Sequence, residues 1–324
     1  MSQQNSITEW LLEGDPAIRW QTRRDLLGAE ERTVEAERRQ VAATGWGAKL
    51  LSFQEPSGLW AGGLYSPKWT STTYTLLLLR RLGLESGHPQ AERACRLLLD
   101  KGFYADGGIN YSPTSQHSET CITGMVLSIL AYFNYRDERL TKLVEHLLGQ
   151  QMADGGWNCQ SYQGATHSSF HTTLSVLEGL REYEKRRPDP RLVASQDRAV
   201  EFLLIHRLFR SHRTGEVVDP RMTRFSFPPR WRYDVMRVLD YFQERNIPPD
   251  PRLADAIKLI NKKRRPDGAW PLQNRHPGRT FFELEAVGQP SRWNTLRALR
   301  ILQWYQAYPL SGERFETLTP DGRG

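Results

Sequence analysis

Long apolar runs are missing from this sequence. The leucine run at residues 76–79 stops at Arg80 and Arg81, well short of the ~18 to 20 residues that a membrane-spanning helix needs. No transmembrane segment is expected, and any membrane contact would be peripheral. The first residues, MSQQNSITEWLLEGD, have no basic head followed by an apolar core, so the expectation is a cytoplasmic protein. Cysteine is scarce. Cys95, Cys121 and Cys159 are an odd number in 324 residues, which argues against a disulfide framework and for reduced thiols. No Gly/Ser-rich linker or shift of composition divides the chain, so residues 1–324 read as one domain. The 39% of hydrophobic residues is enough for a substantial core. The net charge of +7 would suit an anionic substrate or an acidic surface, but Arg and Lys are dispersed and no nucleic-acid motif accompanies them. The surplus therefore reads as a solvated basic face, with no nucleic-acid partner.

What the chain does have is repetition. The pattern Gln-x-x-x-Gly-x-Trp occurs twice in full, at Gln54, Gly58 and Trp60 and at Gln151, Gly155 and Trp157; weaker copies keep Gly107, Gly215 and Gly268. These glycines lie 49, 48, 60 and 53 residues apart, close enough to regular for one structural unit each. Each follows an amphipathic stretch, as a left-handed helix cap does, with the next aromatic or aliphatic side chain packing back. An irregular stretch and a second, more apolar helix come next, the pattern of a helical-hairpin array. Aligning these second helices on their leucines puts Trp20, Thr73, Cys121, His171, Tyr233 and Trp293 in one column. Ile18, Ser71, Glu119, Ser169, Trp231 and Ser291 stand two positions earlier. Outer partners fall near residues 5–13, 31–53, 89–101, 137–151, 191–210 and 251–264. Asp15-Pro16, Asp189-Pro190 and Asp250-Pro251 each offer a capping residue followed by proline at a helix start. Six such pairs predict an all-α fold, an α/α toroid with an inner and an outer ring.

The starts of the inner helices carry the chemistry. Residues 116–133, QHSETCITGMVLSILAYF, run from a polar, metal-capable head into an apolar helix, and residues 166–180, THSSFHTTLSVLEGL, repeat that design. His117 matches His167 and Cys121 matches His171. If both helices face one cavity, Glu119, Cys121 and His171 converge there. One carboxylate, one thiolate and one imidazole would hold a zinc ion with an open fourth position, with His117, His167 and Cys159 as alternate ligands. The competing reading is plain packing, in which Cys121 and His171 fill a helix column without metal.

Trp20, Trp69, Tyr74, Trp231, Tyr233 and Trp293 would either line a lumen holding an isoprenoid or other flat apolar ligand, or pack inner against outer helices. Two loops, residues 217–230 and 271–290, exceed the length of a turn. They set Arg221, Arg224, Arg230, Arg275 and Arg279 beside Phe225, Phe227, Phe281 and Phe282, a mixture that suits an amphipathic ligand with an anionic head. Arg230, Arg275 and Arg292 are the expected contacts for that head. Asp234 is a further catalytic candidate. With Glu119, Glu283 and Glu285 it keeps open a carbohydrate-active α/α barrel, which needs two facing carboxylates. A third class is a non-catalytic toroid holding a lipid or a peptide tail.

The glycine turns and six-fold inner helices resemble the α/α-toroid superfamily of squalene and terpenoid cyclases and protein prenyltransferase β subunits, over nearly the whole chain. The cyclases carry an Asp-x-Asp-Asp acid at an inner helix start, where this chain has Glu119-Thr120-Cys121-Ile122. The resemblance therefore does not imply alkene protonation by that acid. The zinc prenyltransferases carry Asp-x-Cys there and a histidine at the next inner helix, to which Glu119-x-Cys121 and His171 are similar. That likeness implies a transferase with a catalytic zinc on Glu119, Cys121 and His171, an isoprenoid substrate, and a partner subunit.

Overall fold

The computed structural model describes residues 3–308. Residues 1–2 and 309–324, the two ends of the expected 1–324 domain, lie outside the described residues. Six helices form an inner ring: α2 (Pro16–Asp25), α5 (Thr72–Leu82), α7 (Thr120–Tyr132), α9 (Phe170–Glu184), α11 (Val235–Glu244) and α13 (Arg292–Ala307). Outside them run α1 (Gln3–Leu12), the broken pair α3 (Glu31–Ala43) and α4 (Gly45–Ser52), α6 (Pro89–Gly102), α8 (Arg139–Gly149), α10 (Pro190–Ile205) and α12 (Ala254–Lys262).

Side-chain pattern decides which ring a helix joins. All of α7 but Cys121 and Tyr132 is buried, as expected for a helix that is apolar on every side. Its outer partner α8 buries one stripe, Leu140, Leu143, Val144 and Leu147. Neighbouring inner helices touch around the whole ring. The Trp20 indole N–H donates to Leu82 O at 2.8 Å between α2 and α5, and Arg237 of α11 meets Glu178 of α9 at 2.9 Å. Between α7 and α9 the backbones come closest: a Cβ on Gly179 would stand 2.4 Å from Gly124 O, so only glycine permits this contact. The ring closes where Arg300 of α13 reaches Asp25 of α2 at 3.0 Å. The fold is an all-α toroid of six helix pairs. Among the described residues no helix is long and apolar enough to cross a membrane.

The repeated turns share one geometry. Gly58, Gly107, Gly155, Gly215 and Gly268 all have positive φ, between 74° and 94°. The indoles of Trp60, Trp157 and Trp270 donate to Leu50 O, Leu147 O and Ile260 O at 2.7, 2.7 and 2.8 Å, each closing an outer helix ten residues back. Gln54 and Gln151 then tie each turn to the next outer helix, through Gln90 O at 3.0 Å and Ser195 O at 2.8 Å. Two short antiparallel strands, β1 (Trp270–Pro271) and β2 (Pro290–Ser291), staple the base of the 271–290 loop.

Candidate functional site

The two long loops cover the end of the ring where the inner helices begin. Trp69, just before α5, is held by the 271–290 loop: its amide donates to Arg279 O at 2.9 Å and its indole N–H to Pro277 O at 2.9 Å. Tyr74 meets it edge to face at 4.8 Å. Phe281, from the same loop, stacks on Phe53 at 4.5 Å. Below lies a pocket lined by Trp69, Leu78, Phe227, Arg230, Phe281 and Phe282 among others, with about 30 Å³ of free space. That volume suits a water molecule, so a larger ligand requires the 271–290 loop to lift.

Arg230 is the unusual member of that pocket. It has φ 59°, and its guanidinium packs over the Trp69 ring at 5.5 Å. Among the described residues it makes no hydrogen bond or ion pair, and burial, eased by Tyr74 and Glu283, pulls its pKa down to about 10. A guanidinium normally keeps its proton far above that value. Arg230 is therefore a half-buried cation with no anionic partner among the described residues.

The expected zinc site does not assemble. Among the described residues no three His, Cys, Asp or Glu side chains are grouped to hold a metal ion. The backbone explains why. His171 Nδ1 accepts the Tyr233 amide at 2.8 Å, and burial, helped by Arg237 and Arg232, lowers its pKa to about 4. Cys121 turns instead to Cys159, whose Sγ accepts the Cys121 amide at 3.1 Å and the Thr172 hydroxyl at 3.4 Å. The pairing of the two thiols raises Cys121, as burial also does, and lowers Cys159 against the effect of burial. Glu119 caps α7 without a side-chain capping bond, and burial, opposed by Lys68, raises its pKa. Of the alternates, His117 is exposed and stacks on Tyr162 at 4.9 Å, and His167 is exposed. These residues do not fit zinc as they stand.

Other expected contacts take structural roles. Asp234 caps α11, accepting the Arg237 amide at 2.8 Å, and is buried with its pKa raised by desolvation. Since Asp234 is the cap, Tyr233 precedes the helix and leaves the column of Cys121 and His171. Its hydroxyl donates to Leu208 O at 2.5 Å. Trp231 lies edge-on to His171 at 5.1 Å, under Arg232. Trp293 is buried on Phe227. Arg292 points out of the ring, donating to Trp10 O at 2.9 Å and lying over the Trp10 ring, so it is no ligand contact. Arg275 is engaged by Glu283. Trp20 and Gln21 bind carbonyls of the α5 end. Sequence reasoning missed the isolation of Arg230, because the sequence shows its charge but not the lack of a partner. It also missed the arginines inside the inner helices, Arg80, Arg181, Arg237, Arg297 and Arg300. Their signal was a charge recurring on otherwise apolar helices.

The sequence matches no protein-family model and no curated protein. Among solved structures, a variant of the type II terpene cyclase MstE from Scytonema in complex with its substrate geranylgeranyl dihydroxybenzoate is 17% identical, covering 91% of this chain and 87% of that one, with a TM-score of 0.45. The apo enzyme gives 17% identity, 91% and 88% coverage and a TM-score of 0.44. A protein from Actinoplanes gives 16% identity, 90% of both chains and a TM-score of 0.45. The toroid rests on the chain's own contacts.

Proposed function

We propose that this toroid binds a largely apolar, isoprenoid-type small molecule under the 271–290 loop, its anionic end against Arg230 and its apolar body against Trp69, Phe227, Phe281 and Phe282. The observation that carries the reading is Arg230, a half-buried guanidinium on an aromatic wall with no ion pair among the described residues. Any proton chemistry at this mouth would fall to Glu119, whose carboxyl makes no hydrogen bond among the described residues and is biased toward its neutral form. A carbohydrate-active site is less well supported, because the other carboxylates are engaged. Glu283 binds Arg275 and Thr280, Asp234 caps α11, and Glu285 accepts the Arg292 amide at 2.7 Å.

Thermal unfolding with farnesyl diphosphate and with farnesol tests the proposal. Farnesyl diphosphate is expected to raise Tm more than farnesol; at 100 times Kd a ligand adds about 2.7 kcal/mol of stability. Arg230→Gln should erase the difference between the two, and Trp69→Ala should weaken both. A protein stabilised by an oligosaccharide but by neither isoprenoid would overturn the reading.

A further inference from the structure

At the other end of the ring, where the inner helices finish, a second and larger cavity of about 490 Å³ is lined by residues of all six inner helices. Its size falls within the roughly 300–1,000 Å³ of small-molecule sites. Its wall carries eight arginine and lysine side chains against four carboxylates.

Those carboxylates are shared. Asp240 serves Arg297 at 2.6 Å and Arg300 at 3.5 Å. Glu182 serves Arg80, Arg181 and Lys185 at 3.3, 2.8 and 3.0 Å. Just behind the wall, Glu178 is divided among Arg80, Arg81 and Arg237. The arginines consequently keep donors unused: Arg80 Nε, Arg181 Nε, Arg297 Nη2 and Arg300 Nε are buried without a hydrogen-bond partner among the described residues. Such orphaned donors are rare in folded proteins and mark guanidinium groups that the shared carboxylates leave under-satisfied. The helix ends supply part of the missing negative charge, about half a unit each. Of the lining cations, however, only Arg38 donates to a carbonyl just past a helix end, Gly83 O at 2.9 Å. The rest of the surplus lies among the residues that line the cavity.

From this geometry we infer that the cavity at the C-terminal ends of the inner helices is a binding site for a compact polyanion, a small molecule bearing a diphosphate or several carboxylates. Guanidinium groups converging from α5, α9 and α13 offer the forked donors that phosphate and carboxylate oxygens accept in pairs. The site is separate from the Arg230 pocket and does not depend on it.

Isothermal titration calorimetry with inorganic pyrophosphate and with citrate tests the inference and separates the two anion classes. One-to-one binding is expected for at least one of them, weakening as salt is raised. Arg300→Gln and Arg181→Gln should each weaken it tenfold or more, Arg300→Lys should weaken it less, and Arg230→Gln should leave it unchanged. Circular dichroism shows whether each variant is folded, and Arg300→Lys keeps the test valid if a glutamine variant is not. Absence of heat with both anions at millimolar concentration, binding of many anions per chain, or loss of binding in Arg230→Gln but not in Arg300→Lys or Arg300→Gln would overturn it. Failure of farnesyl diphosphate to bind would count against the Arg230 pocket alone.

Discussion

Phe227 stacks on Trp293 with ring centroids 4.2 Å apart and planes 13° from parallel. Phe227 lines the small pocket on one side and the large cavity on the other, so this pair is the floor between the two ends of the ring. Replacing Phe227 by Ala should remove the floor and destabilise the fold by about 3 kcal/mol, the low end for a buried phenylalanine, because free space already lies on both sides. Denaturant unfolding measures this. A loss under about 1 kcal/mol would mean that the ring is not packed as described.

Two glycines with the same backbone conformation should respond differently to alanine. Gly155 has φ 94°, and an added Cβ would lie 2.5 Å from Arg198 O; Gly215 has φ 74°, and nothing lies within 4 Å of its Cβ. Gly215→Ala should carry only the left-handed strain of about 1 to 2 kcal/mol. Gly155→Ala adds a clash with backbone and should be clearly worse. Equal melting temperatures for the two variants would contradict the turn geometry.

Arg237 and Glu178 are buried together, with side chains 1% and 7% exposed. Arg237→Leu leaves a carboxylate short of charge and should destabilise by about 3 to 5 kcal/mol, whereas Arg237→Leu with Glu178→Leu should be milder. Burial alone would raise the Glu178 pKa, but Arg237, Arg81 and Arg80 hold it well below 4.5. A depressed carboxylate contributes stability that is complete above its unfolded value and disappears as pH falls through the folded one. Stability measured from pH 6 down to about pH 3 should therefore decline, with a shallower slope in Glu178→Gln.

The thiols should separate in reactivity. Cys159 is lowered by the Cys121 thiol and the Thr172 hydroxyl, Cys121 is raised, and buried Cys95 is raised by desolvation. Since the thiolate is the nucleophile, iodoacetamide near pH 8 should label Cys159 first. Peptide mass spectrometry after short exposure checks the order. Faster labelling of Cys121 would reverse the assignment of the shared hydrogen bond.

Zinc content offers a direct check of the unassembled ligand set. Protein purified without chelator should carry far less than one zinc per chain, because His171 is committed to the Tyr233 amide and Cys121 to Cys159. One equivalent, lost in Cys121→Ala, would restore the expected site.

The ring was legible in the sequence because its repeated unit depends on residues with narrow conformational roles. Gly58 and Gly155 take a left-handed turn, and Trp60 and Trp157 reach back the same ten residues. Asp15, Asp189 and Asp250 cap the helices or turns that follow them, each before a proline. The site was less legible. Aligning helices on leucines treated every unit as equal in length, yet α11 starts at Val235 with Asp234 as its cap, which moved Tyr233 and Trp231 out of register with Cys121 and Glu119. Matching columns also could not show that His171 Nδ1 is taken by an amide, since main-chain partners leave no mark on side-chain pattern. Arg230 stands out only when its surroundings are known, because an unpaired charge is a property of space.

The contact between Arg300 and Asp25 joins the last described helix to the second, and Arg292 reaches back to Trp10 O. During synthesis α2 is therefore made long before the helix that completes its packing. Until α13 leaves the ribosome, the nascent chain is an open arc with one bare apolar edge at each end, exposed to chaperones and to self-association. A stalled or truncated product lacking α13 should therefore aggregate. Because the beginning and end of the ring are neighbours, a permuted gene that opens the chain at the exposed, unobstructed Gly215 turn and links the old ends should still yield the same toroid.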